Sequence, residues 1–179
     1  MIEFINPIIA AVRTDEQYKI ALKSDVSAIF MLKADMLTVA ELIKEKKDKK
    51  VFVHIDMAEG VGKDKKGIEI LKRIGVDGII TTKNHLISCA KDLGLITVQR
   101  FFIIDSGSVA TALDSVGQTN PDFAELMPGV IPKAIKGFIE RTNVPIISGG
   151  LIEDRADVIG ALSAGAEAVS TGKIELWNE

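Results

Sequence analysis

Eight short, almost continuously apolar runs, at 7–12, 28–32, 51–55, 78–81, 96–103, 123–127, 145–148 and 168–171, alternate with segments of helical periodicity. Between them, apolar positions such as Ile68, Leu71 and Ile74, or Ile131, Ile135, Phe138 and Ile139, recur three and four residues apart, the spacing of one helix face. Runs without polar alternation are strands covered on both faces, and strands that alternate with helices form a parallel sheet. Pro132 suits a first helical turn, where its missing N–H costs nothing. Gly75, Gly94 and Gly165 fall just past helices, where a left-handed cap is wanted. At 179 residues, and roughly 150 per domain, the chain reads as one domain over 1–179.

An internal echo bears on whether the sheet is open or closed. Gly75-Val76-Asp77-Gly78-Ile79-Ile80-Thr81 is similar to Gly165-Ala166-Glu167-Ala168-Val169-Ser170-Thr171, every position displaced by 90, half the chain. A closed eight-unit barrel of two similar halves gives such a repeat, whereas an open doubly wound sheet gives no reason for it. Barrels of this kind typically run to about 250 residues, so this shorter chain needs very short loops and leaves room for one helix fewer. The expected architecture is α/β: a compact TIM-like (β/α) barrel of parallel strands, with seven to eight β/α units.

Composition narrows the partners. The net charge is −3, distributed as +3 over residues 1–100 and −6 over 101–179, and the aromatics are seven Phe, one Tyr and one Trp. A dedicated nucleic-acid binder is usually more basic and offers more rings for base stacking. No apolar run approaches the ~20 residues of a membrane helix, so no membrane partner is expected. The start, Met1-Ile2-Glu3-Phe4-Ile5-Asn6-Pro7, lacks the basic region and unbroken apolar stretch of a signal peptide. The single cysteine, Cys89, closes no internal disulfide, and a reducing cytoplasm is the expected setting. Within the helical stretch 86–93, Cys89 reads as a small buried hydrophobe.

Ligands of such barrels sit at the C-terminal ends of the strands. The seventh strand runs into Ser148-Gly149-Gly150 and the eighth into Ser170-Thr171-Gly172-Lys173. Glycines let backbone N–H groups approach an anion, Ser148 and Thr171 offer hydroxyl donors, and 173–178 has the length of a short extra helix whose N-terminus faces a phosphate. A lone Gly-Gly is ordinarily a tight turn, but Gly-rich turns after both closing strands favour a phosphate cradle. His54 and Asp56 stand two residues apart, on the same side of one strand. Arg13 follows the first strand, Lys83 follows the fourth, and Glu125 lies in the sixth. Arg100, inside the fifth, needs an anionic partner: Glu125 or Asp56 on the structural reading, a bound phosphate on the functional one.

Other chemistry lacks its signatures. There is no Gly-x-Gly-x-x-Gly fingerprint, Walker motif or nucleophile elbow, and two histidines with one cysteine make no zinc pattern. No cofactor or metal is therefore expected. Lys33 and Lys83 lie near strand ends without a clear Schiff-base setting.

Five segments in order, Asn6-Pro7-Ile8-Ile9-Ala10-Ala11-Val12-Arg13, His54-Ile55-Asp56-Met57-Ala58-Glu59-Gly60, Gln99-Arg100-Phe101-Phe102-Ile103-Ile104-Asp105-Ser106, Pro121-Asp122-Phe123-Ala124-Glu125-Leu126-Met127-Pro128-Gly129-Val130-Ile131-Pro132 and Ser148-Gly149-Gly150-Leu151-Ile152, resemble the glycerol uptake operon antiterminator family. The resemblance covers essentially the whole chain. It implies a barrel-like α/β protein that responds to glycerol-3-phosphate and binds leader mRNA, preventing premature termination of glycerol-utilisation transcripts. The family often has Ser-Thr-Arg after the fourth strand, where Thr81-Thr82-Lys83 stands here; lysine keeps the charge and loses the bidentate fork.

Residues and resemblance agree on a small phosphorylated ligand. Ser148, Gly149, Gly150, Ser170, Thr171 and Gly172 would form the cradle, Arg13 or Arg100 the countercharge, and His54, Asp56, Glu125 and Lys83 the polar contacts. For RNA, the candidates are Lys46, Lys47, Lys49 and Lys50, in a run whose ordinary reading is a solvated face. The rival function is a small phosphate-binding isomerase or lyase using Asp56, His54 and Glu125 as acid and base. A metabolite sensor with a protein partner is a third reading, and the oligomeric state is left open.

Overall fold

The computed structural model describes residues 4–178; residues 1–3 and 179, the ends of the expected domain, lie outside the described residues. Strands β1 (Ile8–Val12), β2 (Ala28–Met31), β3 (Lys50–His54), β4 (Gly78–Thr81), β5 (Ile96–Phe102), β6 (Phe123–Met127), β7 (Ile146–Gly149) and β8 (Ala168–Thr171) close in chain order into a barrel. All eight pairings are parallel, and β8 returns to β1 with Ile9 opposite Ser170. Helices α1 (Asp15–Ala21), α2 (Met36–Lys44), α3 (Lys65–Arg73), α4 (Asn84–Asp92), α5 (Ser106–Thr119), α6 (Pro132–Ile139) and α7 (Arg155–Ser163) follow the first seven strands. The architecture is the TIM-like (β/α)8 barrel.

Strand side chains point alternately to the two faces, which sorts the apolar residues into two cores. Ile9, Phe30, Phe52, Val98, Phe123 and Ile147 fill the bore, while Ile8, Ile29, Val51, Val53, Ile79 and Val169 pack outward beneath the helices. Phe30 meets Phe52 edge to face at 5.2 Å, and Phe4 lies 5.2 Å from Phe123. The bore is therefore a packed plug, and the helices need only one buried stripe each.

Caps are what let helices of seven to fourteen residues begin and stop on cue. Thr14, Asp35, Asp64, Asp105 and Asp154 accept from the first-turn amides of α1, α2, α3, α5 and α7. Pro132 opens α6, and Gly75, Gly94 and Gly165 take the left-handed conformation behind α3, α4 and α7. At the N-terminal end of the barrel, lysines bind the carbonyls of neighbouring units: Lys46 donates to Gly75 O at 2.6 Å, Lys49 to Ser24 O and Val26 O, Lys72 to Leu93 O, and Lys91 to Asn120 O. Lys46 and Lys50 also pair with Asp77. Burial would raise the Asp77 carboxyl, but its bonds to Lys46, the Val51 amide and Lys50 hold it below the usual range.

The chain fits a barrel into its short length by replacing the eighth helix with a short 3-10 helix, Ile174–Asn178, within the segment expected to form a short extra helix. It is pinned by Trp177, fully buried, whose indole N–H donates to Thr171 O at 2.9 Å. The third strand ends at His54, so Asp56 lies in a 3-10 turn (Ile55–Met57) and not on the strand. Cys89 is half-buried, on the flank of α4, not in the core proper. Among the described residues, no helix is long and apolar enough to cross a membrane, and no group of three or more His, Cys, Asp or Glu could hold a metal.

Candidate functional site

At the C-terminal mouth of the barrel a cavity of about 380 Å3 is lined by Ala11, Arg13, Leu32, Arg100, Glu125, Met127, residues 150–153 and residues 170–173. A larger hollow, about 490 Å3, lies at the opposite end among Ile96, Asn120, Pro121, Asp122 and Pro145. It brings together none of the charged groups at the C-terminal strand ends, and the mouth is the candidate site.

The bore switches from apolar to polar at the mouth. Arg100 and Glu125 are register partners on β5 and β6, and Nε of Arg100 donates to Glu125 Oε2 at 2.6 Å. Ser170 Oγ donates to the other carboxylate oxygen at 2.7 Å. Glu125 is wholly buried, and both of its oxygens are engaged. It holds the guanidinium through Nε; the two terminal nitrogens make no hydrogen bond among the described residues, and Arg100 lines the cavity. Gly149 belongs to this network: a Cβ there would lie 2.5 Å from both Glu125 Oε1 and Ser170 Oγ.

Asp56 is spent inside the protein. Its carboxylate accepts from Thr81 Oγ1 at 2.6 Å, and from the Thr82 amide and hydroxyl at 2.8 Å each. Burial opposes its charge, yet these bonds outweigh burial and hold its pKa below the usual aspartate range. His54 lies 3.8 Å from Asp56 Oδ2, beyond hydrogen-bond reach, and its Nε2 is buried without a partner. Burial, with the charge of Arg100, pushes the His54 pKa below the usual value despite Asp56 and Glu125.

Two expected donors face the other way. Ser148 and Thr171 alternate with bore residues Ile147 and Ala168 and therefore point outward. Ser148 Oγ donates to Gly129 O at 2.9 Å, and Thr171 Oγ1 donates to Ile152 O at 2.8 Å while accepting from the Lys173 amide. Neither hydroxyl serves the cavity. Arg13 is exposed on the rim and borders the cavity, whereas Lys83 is exposed at the start of α4 and does not. The lysines proposed for RNA lie at the other end of the barrel, with Lys46, Lys49 and Lys50 already bonded within the chain and Lys47 exposed. The sequence reading missed Lys173 and Glu153, an exposed pair 3.8 Å apart on the cavity rim.

The remaining atoms of the expected cradle are main-chain amides. Gly150 and Leu151 are left-handed (φ 77° and 60°), which turns the chain across the mouth. Among the described residues, the amides of Gly150, Leu151 and Gly172 donate no hydrogen bond. Gly172 needs to be glycine neither for its backbone conformation nor for room: a Cβ there would meet nothing nearer than Ala11 O at 3.6 Å.

The 90-residue echo reaches this level of detail. Thr81 Oγ1 accepts from the Lys83 amide at 3.1 Å, and Thr171 Oγ1 accepts from the Lys173 amide at 3.1 Å. The intervening positions differ: the Thr82 amide and hydroxyl both bind a carboxylate oxygen, whereas Gly172 has no side chain and its amide has no partner among the described residues.

Comparison with known proteins gives concordant relatives. A glycerol uptake operon antiterminator regulatory protein from Listeria monocytogenes superposes with a TM-score of 0.91 at 32% identity, over 97% of this chain and 95% of that one. A glycerol uptake operon antiterminator-related protein from Thermotoga maritima gives 0.85 at 31% identity, over 96% and 98%. An uncharacterised protein of Escherichia coli K12, YgcP, is 35% identical over 175 residues, 96% of this chain and 92% of that protein. With residues 8–177 matching its family model, the chain belongs to the glycerol-3-phosphate responsive antiterminator family.

Proposed function

We propose that this protein is a non-enzymatic regulator that binds glycerol-3-phosphate in the mouth of the barrel and, when loaded, engages leader mRNA to prevent premature transcription termination. The family description supports the metabolite, and the names of two similar solved proteins support the mode of action. The observation that carries the ligand site is Gly172. Among the described residues its amide is unpaired and nothing demands its missing side chain, and its counterpart in the first half, Thr82, already holds an oxyanion at 2.8 Å. Gly150 and Leu151 add amides from the facing turn, and Arg100 and Arg13 add positive charge. The phosphate takes the cradle, and the glycerol end lies toward the bore.

The enzyme reading has less support. Asp56 and Glu125 are committed acceptors, held by three and two hydrogen bonds respectively, and neither is poised to take a proton from a substrate. Ligand drives RNA binding only as far as it favours the RNA-competent state over the other. Calorimetric titration with glycerol-3-phosphate, glycerol and inorganic phosphate tests the site, and equal affinity for glycerol-3-phosphate and glycerol overturns it. Recovery of the ligand unchanged after incubation separates regulator from enzyme. A gel shift on leader RNA, strengthened by glycerol-3-phosphate, tests the output.

A further inference from the structure

The charged groups that line the cavity divide into fixed and free. Arg100 and Glu125 are buried and bonded to each other, whereas Arg13, Glu153 and Lys173 stand exposed on the rim. Glu153 is the cavity's second carboxylate and, unlike Glu125, accepts no hydrogen bond among the described residues. Its one described partner is Lys173, with Oε2 3.8 Å from Nζ and the side chains 66% and 47% exposed. The backbone beneath both is fixed. The Glu153 amide donates to Asp157 in the first turn of α7 at 2.9 Å, and the Lys173 amide donates to Thr171 Oγ1 at 3.1 Å. Thr171 Oγ1 in turn donates to Ile152 O at 2.8 Å, which ties the two turns together. Both arms are therefore anchored at the main chain and free at the tips, on the same turns as the unpaired amides of Gly150, Leu151 and Gly172.

We propose that Glu153 is a built-in competitor for the ligand: it holds Lys173 while the cavity is empty and yields it to the phosphate on binding, so that Lys173 joins Arg13 and Arg100 as a cationic contact. This rests on the reading of the mouth as a phosphate site. An exposed ion pair at 3.8 Å is weak, because water screens it and two long side chains must be held in one geometry. A phosphate monoester brings close to two negative charges and three strong acceptor oxygens, where the carboxylate brings one charge. The phosphate also meets the cradle amides, which Glu153 does not, so Lys173 exchanges the weaker partner for the stronger. With the carboxylate removed, Lys173 is free from the start and the rim is more positive by one charge. Glu153 thus weakens the site in proportion to the charge of the ligand. It raises the metabolite concentration at which the protein responds.

The test is calorimetric titration of the full chain with glycerol-3-phosphate, inorganic phosphate and glycerol. Glu153→Gln is expected to tighten both phosphates roughly two- to fivefold at low salt and to leave glycerol as it was. Lys173→Ala is expected to weaken both phosphates by roughly the same factor. Added to Lys173→Ala, Glu153→Gln is expected to bring no further gain, which separates competition for the lysine from plain repulsion of the ligand. Salt at about 1 M should erase the difference between Glu153→Gln and the wild type, as a merely structural effect would not. Thermal melts of the unliganded variants identify any that fails to fold. Unchanged or weakened phosphate binding in Glu153→Gln, or a full gain in the absence of Lys173, overturns the competition while the site stands. If neither inorganic phosphate nor glycerol-3-phosphate binds the wild type, the phosphate site itself falls, and this proposal with it.

Discussion

The ends of β4 and β8 are built from related sequence and present the same backbone, yet one is closed and the other open. At β4, the Thr82 amide and the Thr81 and Thr82 hydroxyls converge on the Asp56 carboxylate. At β8, Thr171 repeats the turn, but Gly172 has no side chain, and among the described residues its amide is unpaired and no acid bonds to it. A barrel made of two similar halves thus has two corners of related sequence, and the protein fills the first with its own Asp56 carboxylate. What the filled corner teaches is chemical: the donors of this turn suit an oxyanion, so the empty corner suits one supplied from outside.

The comparison can be attacked from its charged backing first. Glu125→Ala removes the sole described partner of the Arg100 guanidinium; leaving one member of a buried pair uncompensated should cost about 3–5 kcal/mol, read by urea denaturation. A loss below about 1 kcal/mol would mean that Arg100 is solvated, and that the open corner has no fixed charge. Next comes the filled corner. Asp56→Ala should lose about 1.5–3 kcal/mol, because three donors lose a charged acceptor, and added inorganic phosphate should return part of the melting temperature. Failure of phosphate to stabilise that variant beyond the wild type would show the two corners to be unlike.

The two glycines of the open corner should separate. Gly149→Ala drives a Cβ to 2.5 Å from Glu125 Oε1 and Ser170 Oγ and should lose roughly 1–3 kcal/mol of stability. Gly172→Ala meets only Ala11 O at 3.6 Å and should stay within about 0.5 kcal/mol of wild type, while weakening glycerol-3-phosphate binding measured by calorimetry. Equal affinity in Gly172→Ala would remove that amide from the cradle.

Acid should open the closed corner. The Asp56 carboxyl is below its usual pKa in the folded chain, so its stabilisation is complete above the ordinary aspartate range and is lost as pH falls through the lowered value. His54 adds a loss of the same sign at milder pH: its folded pKa is depressed, the unfolded chain takes up the proton first, and stability declines as pH drops below about 6.5. Thermal melts against pH should therefore fall in two stages, and Asp56→Asn should flatten the more acidic one. Smallest of all, Lys47→Ala, at the far end of the barrel, should change stability by less than about 0.5 kcal/mol.

Much of this was legible in the residues. Strands covered on both faces show as unbroken apolar runs, and the 90-residue echo pointed to closure, now seen in matching hydroxyl-to-amide bonds at Thr81 and Thr171. Arg100 announced its need for a partner, and of the alternatives Glu125 is the one it meets. What stayed hidden depends on single-residue parity and on contacts distant in sequence. Ser148 and Thr171 look like cradle hydroxyls until the alternation turns them outward. Gly149 and Gly172 look alike as letters, though one makes room for Glu125 and the other for nothing in the chain. The basic run at 44–50 reads as solvated charge, because nothing local shows Lys46 and Lys49 reaching carbonyls of other units.

The short tail that stands in for the eighth helix has a practical consequence. It plants the chain's single tryptophan in a dry environment, bonded to the carbonyl of Thr171, which shares one peptide group with the amide of Gly172. On the proposed reading, a dianion held there would change the electric field across that indole, and the expected outcome of adding glycerol-3-phosphate is a label-free change in intrinsic fluorescence.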